Sequence, residues 1–147
     1  TSAVKKEIRR WNTKADIVEC THAPKVLRDV WSREELPLDW LNGKTLTTLS
    51  GIAVPQGFED SLRKLGARVI WCERYADHHR YDSSEIIFAL NKTSDLHADA
   101  LITTEKDAVR FPRFETTPVR CLYLRIAVEI LEGAENFTQI INRICFK

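Results

Sequence analysis

The chain has 147 residues, 44% of them hydrophobic and 29% charged, enough for one ordinary domain with a buried core. Its 22 lysines and arginines against 21 aspartates and glutamates leave a net charge of +1, so no global field points to nucleic acid or an anionic membrane. No apolar run nears the roughly 20 residues that span a bilayer, and no stretch reads as a signal peptide.

The four cysteines, Cys20, Cys72, Cys121 and Cys145, are widely spread without CxxC spacing. They read as reduced thiols of a cytosolic compartment. A start of Thr1-Ser2-Ala3 in a chain without methionine reads as part of a longer gene product.

In chain order, "AVKKEIRRW" spaces Val4, Ile8 and Trp11 three and four residues apart, with Lys5, Lys6, Arg9 and Arg10 opposite. That predicts an amphipathic helix with a solvated basic face. "ADIVEC" (15–20) predicts a short strand. Residues 22–44 mix Pro24, Pro37 and Gly43 with scattered apolar side chains, which predicts an irregular connector partly packed through Trp31 and Trp40.

From Lys44 the pattern is regular. "TLTTLS" is a strand broken by Gly51, and "PQGFEDSLRKLG" a helix with Pro55 in its first turn and Gly66 at its end. "ARVIWCERY" is a strand, and Asp82 with Glu85 three residues on predicts a capping box ahead of "IIFALNK". "ADALITT" is a strand, "EKDAVRF" a short helix, "PVRCLYLRI" a strand and "NFTQIINRICF" a closing helix. Strand and helix alternate, which predicts an α/β fold: a Rossmann-like parallel sheet of about four to five strands with helices on both faces.

Ligands of such sheets bind beyond the carboxyl ends of the strands. "SGIAVP", "YADHHRYD" and "TTEKDAVR" all fall there. The first could offer free helix amides to a phosphate, but it matches neither a Walker A loop nor a dinucleotide fingerprint, and a tight strand-to-helix turn is the better account of Gly51. In the third, Thr103 or Thr104 can cap a helix whose first turn holds Glu105 and Asp107, while Lys106 can reach a ligand or a neighbouring acid. The second offers Asp77 beside His78 and His79. Neighbouring side chains of an extended segment point opposite ways, so these three suit acid–base or ligand-orienting work better than one metal ion. A purely structural role is the alternative.

Together, "LSGIAVPQGFEDSLRKLGARV", "YADHHRYD" and "ITTEKDAVRFP" resemble, in order and spacing, the C-terminal half of the tetraacyldisaccharide 4'-kinase family over roughly residues 20 to 145. Two local departures are Tyr75-Ala76, where the family commonly has Phe-Pro, and "GIAVP", where it has a "GIGNP" form.

The resemblance implies a two-lobed kinase of lipid A biosynthesis that moves the ATP γ-phosphate to the 4'-hydroxyl of a tetraacyldisaccharide 1-phosphate. ATP and Mg2+ would be held mainly by an N-terminal lobe absent from this chain, together with the aspartate base. Residues 1–44 would lead in from that lobe and residues 45–147 would form the C-terminal lobe, inactive alone.

By position, His78 would orient or assist the aspartate, and Asp77 would hold the imidazole or contact substrate. His79 and Tyr81 would shape the loop. Gly51, Glu105, Lys106 and Asp107 would support the cleft, and no metal ligand falls in this lobe. The partners implied are the disaccharide lipid and the other lobe. The whole protein would sit peripherally on the cytoplasmic face of the inner membrane, this part being soluble. A non-catalytic α/β binding module and a metal-dependent DHH-type phosphoesterase are the alternatives. The latter needs a D-x-D pair at an earlier strand end, which neither "ADIVECTHAP" nor "TLTTLSGIA" supplies.

Overall fold

A strand buried on both faces needs helices on both sides of its sheet, and "TLTTLS" is such a strand. In the computed structural model, which describes residues 2–146, it is β3 (Thr45–Ser50), with Leu46 to Ser50 all buried. Ahead of it run α1 (Ser2–Trp11), β1 (Glu19–Asp29), β2 (Glu35–Leu36) and a single 3-10 turn (Leu38–Leu41). After it come α2 (Pro55–Lys64), β4 (Arg68–Arg74), α3 (Ser83–Asp95), β5 (Ala100–Thr104), α4 (Glu105–Ala108), β6 (Arg120–Glu132) and α5 (Ala134–Cys145).

Among the described residues the sheet has six strands in the order β2-β1-β6-β5-β3-β4. β3 pairs in parallel with β4 and β5, and β5 in parallel with β6. The short β1–β2 pair is antiparallel. The fold is therefore α/β with a mostly parallel sheet, one strand larger than the upper expectation because β2 adds a two-residue edge.

The chain forms two compact units, Pro24–Ile126 and Thr1–Ala23 with Ala127–Lys147. In the first, alternation along the strands sorts side chains to two cores. Leu49, Leu101, Cys121 and Tyr123 pack with Ile86, Ala89 and Leu90 of α3. Leu46, Ala100, Ile102, Leu122 and Leu124 pack with Leu62 of α2, Leu27 and Leu41. Each fully buried leucine contributes roughly 1.5–3 kcal/mol. One polar bridge crosses the first core, where the hydroxyls of Thr47 and Thr93 meet at 2.5 Å and Thr93 donates to the Ala89 carbonyl at 2.7 Å. In the second unit, no described residue of α1 or α5 is buried. Lys5 there bridges Glu19 and Glu132.

Two local expectations change. The strand foreseen at 15–20 begins at Glu19 and runs to Asp29, through much of the presumed connector. Pro24 misleads the sequence reading because proline usually interrupts a ladder. Here it lies outside the β1–β2 pairing, which joins Leu27 to Leu36 and Arg28 to Glu35. Leu27 and Leu41 are fully buried, so this segment is core rather than linker. β6 likewise runs six residues past Ile126, to Glu132. That extension carries Val128, Ile130 and Leu131 as exposed side chains, so no burial pattern announces it.

Candidate functional site at the carboxyl edge of β3, β4 and β5

Because β3 lies between β4 and β5 with all three parallel, the loops that leave their carboxyl ends must meet. Gly51, directly after β3, is the meeting point. Its N–H donates at 3.1 Å to Oδ2 of Asp107 in α4, directly after β5. Its carbonyl accepts the His78 N–H at 3.3 Å in the loop after β4, and the Ser50 carbonyl accepts the Tyr75 N–H at 2.8 Å. A side chain on Gly51 has no room: a Cβ there stands 2.6 Å from the Tyr81 hydroxyl oxygen, 3.2 Å from the Ala76 carbonyl oxygen and 3.4 Å from Asp107 Oδ1. Close approach, not a positive φ, requires the glycine.

Asp107 is fully buried and lies in a short helix capped by Thr104, whose hydroxyl accepts the Asp107 N–H at 3.1 Å and donates to Asp107 Oδ2 at 2.7 Å. Oδ1 and the nearby Tyr81 hydroxyl make no well-formed hydrogen bond among the described residues. Burial, and next the Asp107 charge, push the Tyr81 phenol far above its ordinary value, so it stays protonated. The Tyr81 ring is wedged edge-on against Tyr75, His79 and Phe111, with centroids 5.0–5.3 Å away.

The two histidines part company. His79 turns inward, stacks on Tyr75 at 4.4 Å and places Nε2 3.0 Å from both oxygens of Glu85. Glu85 also accepts the Asp82 N–H, completing the expected capping box of α3. His79 thus ties the loop to the helix. His78 turns outward, 69% exposed at its side chain, on a left-handed backbone with φ 63°. That conformation is uncommon for a residue with a Cβ and persists where surroundings impose it.

Asp77 sits beside it. Its Oδ1 accepts the His78 N–H at 3.1 Å and the Lys106 ammonium at 3.3 Å, and Oδ2 lies 3.6 Å from His78 Nε2. Partial desolvation pushes the Asp77 carboxyl up, but Lys106 and His78 outweigh it and hold the group below its usual range. Asp77 is therefore a carboxylate at neutral pH, placed to orient an imidazole.

The structure gathers Gly51, Asp77, His78, His79, Tyr81, Lys106 and Asp107 on one edge. Glu105 faces away and pairs with Arg125 of β6 at 3.6 Å. Arg110 is a participant that is not among the candidates named from the sequence. Its Nη2 lies 3.3 Å from His78 Nδ1, and Nη1 donates to the His79 carbonyl at 3.4 Å. The signal was its spacing of three from Asp107, which puts both on one side of a helical turn.

Among the described residues no group of three or more His, Cys, Asp or Glu side chains is arranged for a metal ion. The edge can orient an imidazole and present it to a partner.

Comparison with known proteins places the chain in a family. The model of LpxK, tetraacyldisaccharide-1-P 4'-kinase, matches residues 1–145. Tetraacyldisaccharide 4'-kinase of Anaeromyxobacter dehalogenans (strain 2CP-C) is 37% identical over 120 residues, 80% of this chain and 32% of that protein. The Syntrophus aciditrophicus enzyme of the same name is 31% identical over 109 residues, 74% of this chain and 29% of that protein.

The chain thus spans about a third of the length of the curated relatives it matches. A crystal structure of "apo" form LpxK from Aquifex aeolicus in complex with ATP superposes with a TM-score of 0.57 at 20% identity, covering 97% of this chain and 45% of that one. At that identity the likeness speaks for the fold. Fold, motifs and family match agree, and the chain belongs to the tetraacyldisaccharide-1-P 4'-kinase family.

Proposed function

We propose that this chain is the C-terminal lobe of a lipid A kinase, closing over a nucleotide-binding lobe supplied by other sequence. The reaction moves the γ-phosphoryl group of ATP to the 4'-hydroxyl of a tetraacyldisaccharide 1-phosphate. The bond from the γ-phosphorus to the bridging oxygen breaks, a bond to the sugar oxygen forms, and the hydroxyl proton passes to a base. In this reading the base is an aspartate of the other lobe, and His78 orients or assists it. Mg2+ and most contacts to ATP belong to that lobe as well, as does peripheral attachment to the cytoplasmic face of the inner membrane.

The observation that carries the reading is the exposed His78 imidazole, held on a strained backbone between Asp77 and Arg110 at the carboxyl edge of the sheet. Phosphoryl transfer depends mostly on positioning and charge, and a lobe that brings a fixed imidazole on closure also keeps water from the nucleotide. Lys106 and Asp77 brace that residue, and Gly51, Tyr81 and Asp107 lock the loops beneath it.

The test extends the protein upstream to include the nucleotide-binding lobe and follows ATP-dependent phosphorylation of a tetraacyldisaccharide 1-phosphate. His78→Ala is expected to lower turnover roughly a hundredfold, the usual scale of acid–base assistance, and this chain alone is expected to show no turnover. An active extended enzyme indifferent to His78→Ala would make the motif structural. A gene lacking any upstream lobe would leave a binding module in place of a kinase.

A further inference from the structure

We infer that Arg110 is a positioning residue that fixes the proton of the His78 imidazole on Nε2. The functional part of this inference rests on the proposal that His78 meets a carboxylate base. Arginine carries donors and no acceptor. A guanidinium nitrogen 3.3 Å from His78 Nδ1 therefore makes Nδ1 the acceptor. The neutral ring must then carry its proton on Nε2, the atom that lies 3.6 Å from Asp77 Oδ2. An Nε2–H is what an imidazole needs to donate to a carboxylate and hold it in place, whereas the opposite tautomer would oppose lone pair to lone pair.

Arg110 is built in for this task. Its side chain is 26% exposed, its Nη1 lies 3.9 Å from the fully buried Asp107 Oδ1, and the same nitrogen donates to the His79 carbonyl. Asp107 is anchored in turn by the Gly51 N–H and the Thr104 hydroxyl. A chain of contacts thus runs from the buried carboxylate through the guanidinium fork to the exposed ring. The charged groups facing His78 are Asp77 beside it and Arg110 across from it, with Lys106 behind Asp77 and Asp107 behind Arg110. Of these, Arg110 alone is placed against Nδ1.

The experiment labels histidine with 15N in this chain and reads the ring nitrogens by long-range proton–nitrogen correlation above the imidazole titration, with His78→Gln to assign the signals. The parent is expected to show an unprotonated Nδ1 and a protonated Nε2 for His78. In Arg110→Ala both signals should move toward the exchange average of a mixed-tautomer ring.

Arg110→Lys keeps a cation beside Asp107, so it preserves the fold if the alanine variant does not. A single ammonium cannot serve Asp107, the His79 carbonyl and Nδ1 together, and the same drift is expected. A protonated or mixed Nδ1 in the parent, or spectra unmoved by both substitutions, would overturn the inference. In the extended enzyme Arg110→Lys should lower kcat about 10–100-fold, as partners that orient a reacting ligand do, with KM little changed. Spectra that respond to Arg110 beside a turnover indifferent to His78→Ala would sink the proposed role of His78 while leaving the tautomer assignment standing.

Discussion

Gly51→Ala is the substitution that most directly tests how the three loops are locked. The new methyl stands 2.6 Å from the Tyr81 hydroxyl oxygen, inside the 3.0 Å that real Cβ atoms respect, and 3.4 Å from Asp107 Oδ1. The phenol cannot swing aside freely. Tyr81 is 8% exposed, and its ring is held by Tyr75 at 5.3 Å and by His79 and Phe111 at 5.0 Å. Overpacking of this kind costs about 1–3 kcal/mol. At roughly 2–4 °C of Tm per kcal/mol for a chain of this size, the melting point should fall by about 2–12 °C.

The clashing atom is the hydroxyl itself, so Tyr81→Phe should relieve the strain. Alone, Tyr81→Phe removes a buried hydroxyl that makes no well-formed hydrogen bond among the described residues, so it should leave stability unchanged or raise it. In the double variant the two changes should couple favourably by about 0.5–3 kcal/mol. Urea unfolding of the four proteins measures the cycle. A strictly additive double variant would show that Tyr81 is not what Gly51 makes room for. An alanine variant as stable as its parent would show that the loops yield, contrary to the packing described.

Arg74 grips the buried Glu59 carboxylate with two 2.8 Å hydrogen bonds. The Arg74 hydrogen bond, against partial desolvation, holds the Glu59 carboxyl below its ordinary 4.5. A depressed carboxyl stabilises the fold above its unfolded value and loses that contribution as pH falls through the folded value. Arg74→Ala should therefore cost about 2 kcal/mol at neutral pH, and urea midpoints of variant and parent should converge below pH 4.5.

Thr93→Val leaves the buried Thr47 hydroxyl without its 2.5 Å partner and should lower unfolding free energy by about 1–3 kcal/mol. Native thiol labelling should reach the exposed Cys20 and Cys145 first and Cys72 more slowly. Cys121, fully buried with its thiol pushed up by that burial, should react only on unfolding. Rapid native labelling of Cys121 would contradict the packing of the α3-side core.

Local regularities were legible from residues close in sequence. The capping box of Asp82 and Glu85 forms with both reciprocal bonds. Gly66 ends α2 with φ 88°, the left-handed turn that glycine tolerates best. β3 occupies the six residues of "TLTTLS", because β-branched and leucine side chains suit a strand covered on both faces. These follow from backbone preference and periodicity, which act over a few residues. The extent of β1 was hidden for the converse reason: what holds Leu27 and Val30 is contact with distant core residues, against a local breaker signal at Pro24.

Three motifs at three strand ends already marked a candidate edge, but not which atoms would face each other. That depends on the strand order, with β3 between β5 and β4. Only this order lets the Gly51 N–H reach an Asp107 carboxylate 56 residues away and lets Arg110 cover a His78 nitrogen 32 residues away. It also separates two adjacent histidines into a tether on Glu85 and a presented imidazole. Pattern and propensity are properties of short segments and are written into the chain. The pairing of loops is a property of the sheet, whose order is selected by burial of both its faces at once.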